Sequence, residues 1–153
     1  MDQFIAILTN PFLITAVSSW LIAQVIKTIL YTIANKKLDI TRLFGDGGMP
    51  SGHSATVTSL AVICGLVYGT GSFDFALSSI LAIIVCHDAT GVRQETGKQA
   101  LVIKELLRAF DELSEEKLPE VKLKEFVGHT PIQVLAGILL GIANAFLMHW
   151  LLF

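Results

Sequence analysis

The chain is 153 residues long, enough for one domain, with 53% hydrophobic and only 16% charged residues, where soluble domains carry about a quarter charged. With a mean hydropathy of +0.66 the balance points to a membrane protein, and with a net charge of −2 nothing suggests a nucleic-acid partner. Cys64 and Cys86 both lie inside apolar runs and read as small packing residues, not a disulfide pair.

Met1-Asp2-Gln3 lacks the basic start of a cleavable signal, and no small-x-small site follows, so the first apolar segment is expected to be retained. That segment runs from about Phe4 to Tyr31 and is apolar except for Asn10, Gln24, Lys27 and some hydroxyls. It is long enough to cross a bilayer, which takes roughly 20 residues of helix. Lys27 falls near its far end, where a lysine snorkels to the interface. A polar loop follows over residues 35–54. Residues 55–71 carry no charge, and Gly69-Thr70-Gly71-Ser72 is a turn signal. The next apolar run, Phe73 to Cys86, is short and ends in His87-Asp88. Residues 91–128 are polar, but Leu101, Val102, Leu106, Leu107, Phe110 and Leu113 recur near helical spacing, which predicts an amphipathic helix over 99–117, outside the bilayer or on its surface. Pro131 to Phe153 is uncharged and long enough to span. Its proline suits a first helical turn, and Gly137 and Gly141 form a small-xxx-small pair suited to close helix packing.

All eleven basic residues fall on one side when the chain is threaded through about four spans. The positive-inside rule makes that side cytoplasmic and both termini external. A soluble bundle of very hydrophobic helices is the alternative, and the one-sided charge argues against it. The expectation is an all-α, multi-span transmembrane bundle forming one membrane domain, 1–153, with a cytoplasmic loop at 91–128 that carries the amphipathic helix.

This topology gathers Lys36, Lys37, Arg42, Ser51, His53, Ser54, His87, Asp88, Arg93, Lys98 and His129 on one membrane face. In Gly47-Gly48-Met49-Pro50-Ser51-Gly52-His53-Ser54 the glycines let backbone N–H groups converge on an anion. A helix starting near Ser51 adds its positive end, and His53 then stands in the first turn beside the same anion. The bland reading is a hinge with a helix cap. His129 precedes another helix start, where its bland reading is an interfacial cap; an imidazole serves as nucleophile or as proton donor near neutral pH. Asp88, at the end of a span, is either a functional carboxylate or the ion-pair partner of Arg93. Arg93 equally clamps a phosphate, and Lys98 reads best as a solvated lysine.

In order and spacing, Met49-Pro50-Ser51-Gly52-His53-Ser54, Asp88-Ala89-Thr90-Gly91-Val92-Arg93, Gly97-Lys98-Gln99-Ala100 and Gly128-His129-Thr130-Pro131 resemble the divergent branch of the type 2 phosphatidic acid phosphatase superfamily, related to vanadium-dependent haloperoxidases. The resemblance covers nearly the whole chain. It implies a helical membrane phosphatase for lipid phosphates or diphosphates that works without a metal, and no cofactor is expected. It also implies that Ser51 and Gly52 bind phosphate, that His53 is the general acid and that His129 is the nucleophile. Gly47, Gly48, Arg42, Arg93, Lys37 and Lys98 complete the expected substrate-binding set, and Asp88 joins the catalytic one. The expected partners are membrane lipid and a phosphorylated lipid substrate, with a homodimer completing a bundle short of the superfamily's six helices.

The chain departs from the superfamily's signature. Leu43 follows Arg42 where a proline is expected, and Asn35 stands where the signature lysine belongs. Leu123 replaces the arginine of the third motif, and Gln133 its aspartate. Arg93 is one imaginable replacement for the arginine. Asp88 is one for the aspartate, orienting His129 across the bundle, and Gln133 itself can accept a hydrogen bond from the imidazole. A non-enzymatic alternative follows from these gaps: a scaffold or regulator that binds a lipid head group.

Overall fold

The computed structural model describes residues 2–36, 47–113 and 129–153, and among them it contains helices and no strand. The first apolar segment is two helices, α1 (Asp2–Leu8) and α2 (Pro11–Asn35). The division falls at Asn10, whose side chain accepts from the N–H groups of Phe12 (2.9 Å) and Leu13 (3.2 Å). Pro11 at the first position has no N–H to lose there. Then come α3 (Gly52–Tyr68), α4 (Phe73–Thr90), α5 (Val92–Leu113) and α6 (Pro131–Leu152). Each of α3, α4 and α6 opens on a hydroxyl cap, from Ser51, Ser72 and Thr130 respectively.

Helix α3 is the centre of the bundle, packed against α2, α4 and α6, while among the described residues α5 touches only α4 and α1 only α2. The inside is small and polar: Thr15, Ser19, Ser51, Ser54 and Ser59 are fully buried beside Ala23, Ala55 and Ala145. The outside is large and apolar, with Leu21, Val25 and Ile29 of α2, Ile80, Ile83 and Ile84 of α4, and Leu135, Leu139 and Phe146 of α6 all exposed. This inverted distribution suits hydrocarbon, where helices associate through close packing and internal hydrogen bonds instead of water exclusion.

The α3–α6 seam shows that packing directly. A Cβ at Gly137 would collide with the Ser51 carbonyl oxygen, and one at Gly141 with that of Ala55, so both glycines let two backbones touch. Farther along α6, Asn144 donates to the Thr15 carbonyl (3.2 Å), Ser18 Oγ (2.9 Å) and Ser19 Oγ (2.7 Å) of α2.

Three stretches are long and apolar enough to cross a membrane: α2, the α4–α5 run from Phe73 to Phe110, and α6. Helix α3 is apolar but shorter, at 17 residues, or about 26 Å of rise. It is sheathed by its neighbours, so a short helix is tolerated there. Helix α5 begins at Val92, earlier than apolar periodicity predicts, and its apolar residues Leu101, Val102, Leu106 and Phe110 are left uncovered. Cys64 and Cys86 are free thiols.

Candidate functional site

Helices α2 and α4 run toward one end of the bundle and α3 and α6 run away from it. Two helix N-termini therefore meet at that end, joined by a hydrogen bond from the Ser51 N–H to the Gln133 carbonyl (2.9 Å). Each N-terminus carries a partial positive charge and N–H groups with no partner inside the helix, so their convergence favours an anion.

The two imidazoles sit on these N-termini with ring centroids 6.4 Å apart and planes at 70°. His53 is exposed in the first turn of α3. His129, 5% exposed, lies just before the α6 cap, and its backbone N–H donates to the Ala89 carbonyl at the end of α4 (3.1 Å). Rings this close can both reach a single tetrahedral anion set beside the pair. Both rings belong to the same chain.

The loop between them is shaped by close approaches. Gly48 has φ 98°, and a Cβ there would lie 3.0 Å from Cγ of Lys27, so only glycine suits both the backbone and the space. A Cβ at Gly52 would come within 3.2 Å of the Trp20 ring. Gly47 is half-buried. Ser51 is fully buried. Its Oγ accepts from the Ser54 N–H (3.3 Å) and from the Ser54 hydroxyl (3.0 Å), so it caps α3.

Asp88 is half-buried in the last turn of α4, next in sequence to the residue whose carbonyl holds His129. Lys98 is exposed on α5 and pairs with Glu95 at 2.6 Å. Lys37, Arg42 and Leu123 lie outside the described residues, as does the side chain of Arg93. Gln133 does something other than orient an imidazole. Its Oε1 accepts from the Thr130 N–H (3.0 Å) while its own N–H donates to Thr130 Oγ1 (3.4 Å), a reciprocal capping box that starts α6.

Lys27 is the residue that sequence reasoning misplaced. It does not snorkel: it is 6% exposed, its stem against Gly48. Gln24, 6% exposed, is buried on the same side of α2. The available signal was helical spacing, since Trp20, Gln24 and Lys27 fall at i, i+4 and i+7 on one face of α2. Among the described residues no group of three His, Cys, Asp or Glu side chains is arranged to hold a metal ion.

A family model described as the divergent PAP2 family matches residues 8–144. The chain belongs to the divergent PAP2 family. It is also 42% identical over 145 residues to an uncharacterized membrane protein, YuiD, of Bacillus subtilis strain 168, covering 89% of this chain and 92% of that one. No solved structure matches the chain. The family match spans both imidazole-bearing N-termini, the α3–α6 seam and the loop at residues 47–54, and the relative is likewise a membrane protein.

Proposed function

We propose that this divergent PAP2 protein is a membrane-embedded phosphatase that hydrolyses a lipid-linked phosphate monoester or diphosphate through a phosphohistidine. The observation that carries the reading is the pair of imidazoles 6.4 Å apart at two converging helix N-termini. A ring nitrogen of His129 attacks phosphorus as the bond to the lipid oxygen breaks, and His53 passes its proton to that oxygen. Water then attacks the phosphohistidine and gives a proton to His53. The P–N bond breaks, releasing inorganic phosphate and restoring both rings. The helix N-termini favour the charge gathering on the phosphoryl oxygens. Burial and the Ala89 contact hold His129 still, which suits a nucleophile that must meet phosphorus in line.

The lipid enters sideways, head group toward the loop at residues 47–54, on the cytoplasmic face. The basic residues gathered at this end support that orientation. Single cysteines replacing Gly71 and Lys98 in a background lacking Cys64 and Cys86 test it: an impermeant thiol reagent added to intact cells is expected to label the first and spare the second.

The activity is tested with phosphatidic acid, phosphatidylglycerol phosphate and an isoprenyl diphosphate in detergent, reading inorganic phosphate. Release from at least one, lost in His129→Ala, is the expected result. Head-group binding with no release from any would favour the second reading, a lipid-binding scaffold. The commitment of Gln133 to the α6 cap is what favours that alternative, because it leaves the superfamily's usual partner for the nucleophile unfilled at that position.

A further inference from the structure

The seams around the two imidazoles are closed in two different ways. Between α3 and α6 backbone meets backbone: the Ser51 N–H donates to the Gln133 carbonyl (2.9 Å), and the Ser51 carbonyl lies against Gly137. Between α6 and α4 the His129 N–H donates to the Ala89 carbonyl (3.1 Å). Where α2 meets the start of α3, the contact is a side chain. The five-membered edge of the Trp20 indole covers Gly52, where a Cβ would lie 3.2 Å from Cδ1 and 3.6 Å from Nε1. Gly52 is the first residue of α3 and His53 the second, so the indole N–H edge stands beside the anion-favouring end of that helix. The ring is half-buried. Val17, three residues earlier on α2, and Leu21, next in sequence, are both exposed and belong to the hydrocarbon-facing surface. One rim of Trp20 touches the N-terminus that favours phosphate, while its neighbours on the helix face lipid tails.

We infer that Trp20 lines the path by which a lipid reaches the imidazoles and is the residue that separates lipid phosphates from soluble ones. With the phosphoryl group at the N-termini of α3 and α6, the first tail carbons lie along the indole ring, and its N–H faces the oxygens where head group joins tail. The inference rests on the phosphatase reading for its choice of a phosphate as ligand. A tryptophan suits this place because it joins a large apolar body to one hydrogen-bond donor, and such rings gather where an apolar region borders a polar one. The choice of seam follows from how each is closed. Parting a backbone hydrogen bond inside a bilayer leaves a donor and an acceptor unsatisfied, whereas a seam closed by a ring opens by a change of rotamer. A soluble phosphate makes the same anion contacts but has no tail to lay on the ring. Contact worth two buried methylenes corresponds to about tenfold in affinity.

The test uses the full chain in detergent. Trp20→Ala is expected to raise the KM of whichever panel lipid is hydrolysed by about tenfold or more, while the calorimetric Kd of inorganic phosphate stays within about twofold of wild type. Trp20→Phe keeps a ring and loses the N–H, so its KM should fall between. A merely structural tryptophan would move lipid and inorganic phosphate together. The second readout is the fluorescence of Trp20 itself. The chain has two tryptophans, Trp20 and Trp150, and Trp150 is exposed near the far end of α6, so Trp150→Phe leaves Trp20 as the one reporter. The panel lipid that is hydrolysed, or phosphatidic acid if none is, is brominated in its tail and read at once on mixing. It is expected to quench Trp20 at concentrations about tenfold or more below those of phosphatidylcholine with brominated tails. Equal quenching by the two lipids overturns the inference. So does a lipid KM within about twofold of wild type in both variants, or a phosphate Kd that rises in step with the KM. Each of these results leaves the phosphatase reading standing when wild-type protein releases phosphate. Wild-type protein that releases none from any lipid overturns the phosphatase reading, and the quenching still decides the inference. The quenching also decides it if the Trp20 variants fail to fold.

Discussion

The N-termini of α3 and α6 use the same parts in a different order. In Ser51-Gly52-His53 the hydroxyl cap precedes the imidazole; in His129-Thr130-Pro131 it follows. Placed two residues after its cap, His53 rides the first turn outward and is exposed. Placed one residue before its cap, His129 is still extended chain, and it tucks under the end of α4 with its N–H on Ala89. An offset of three positions relative to the cap thus separates a ring open to solvent from one held in place. An exposed ring suits proton exchange with water and a fixed ring suits attack at phosphorus, so this offset is the physical basis for assigning the two roles.

The difference is open to direct attack. The largest effect belongs to the fixed ring: His129→Ala is expected to lower phosphate release by about a thousandfold or more, on every substrate, whatever its leaving group. His53→Gln is expected to cost about 10²–10⁴-fold on a lipid alkoxide, and far less on p-nitrophenyl phosphate, whose leaving oxygen needs no proton. Equal losses on both esters would dissolve the distinction between the rings. Gly137→Ala sets a Cβ against the Ser51 carbonyl, and overpacking there should cost about 1–3 kcal/mol, read as a lower unfolding temperature in detergent. The caps come next. Thr130→Ala and Ser51→Ala should each cost about 1 kcal/mol of stability. Only the first frees the N–H of Gln133 at the turn that follows His129, so Thr130→Ala should disturb kcat through His129 while leaving phosphate affinity close to wild type. Smallest of all, Lys98→Ala removes an exposed pair and should change stability by no more than a few tenths of a kcal/mol.

Much of this molecule can be read from its sequence, and the gaps have causes. The all-α membrane class follows from composition and the apolar runs, and the tight α3–α6 seam from Gly137 and Gly141. The break at Asn10 was written plainly as an Asn-Pro cap, yet an uninterrupted apolar window hides a capping signal. Helix α5 starts before its apolar repeat because Glu95 and Lys98 favour helix without marking a buried face. That two imidazoles share one end follows from threading the spans, but their 6.4 Å separation depends on how far α6 overhangs α3, which no local pattern encodes. Lys27 was misread for a related reason. Its distance along α2 is legible, but not the depth to which the loop at 47–51 folds back to meet it. Gln133 offered two uses, and the nearer partner, Thr130 three residues away, prevails over an imidazole across the helix start.

The contact of Gly137 and Gly141 with the carbonyls of Ser51 and Ala55 gears one helix to the other. With no side chain between them, the pair has no slack in which to slide, and the toothing sets the phase of everything carried at the front of α6. One residue inserted between Thr130 and Gly137 would swing His129 through about 100° and lift it about 1.5 Å, enough to turn it from its counterpart while each helix stayed sound. Length along that short stretch is therefore as much a chemical parameter of this protein as the identity of either ring.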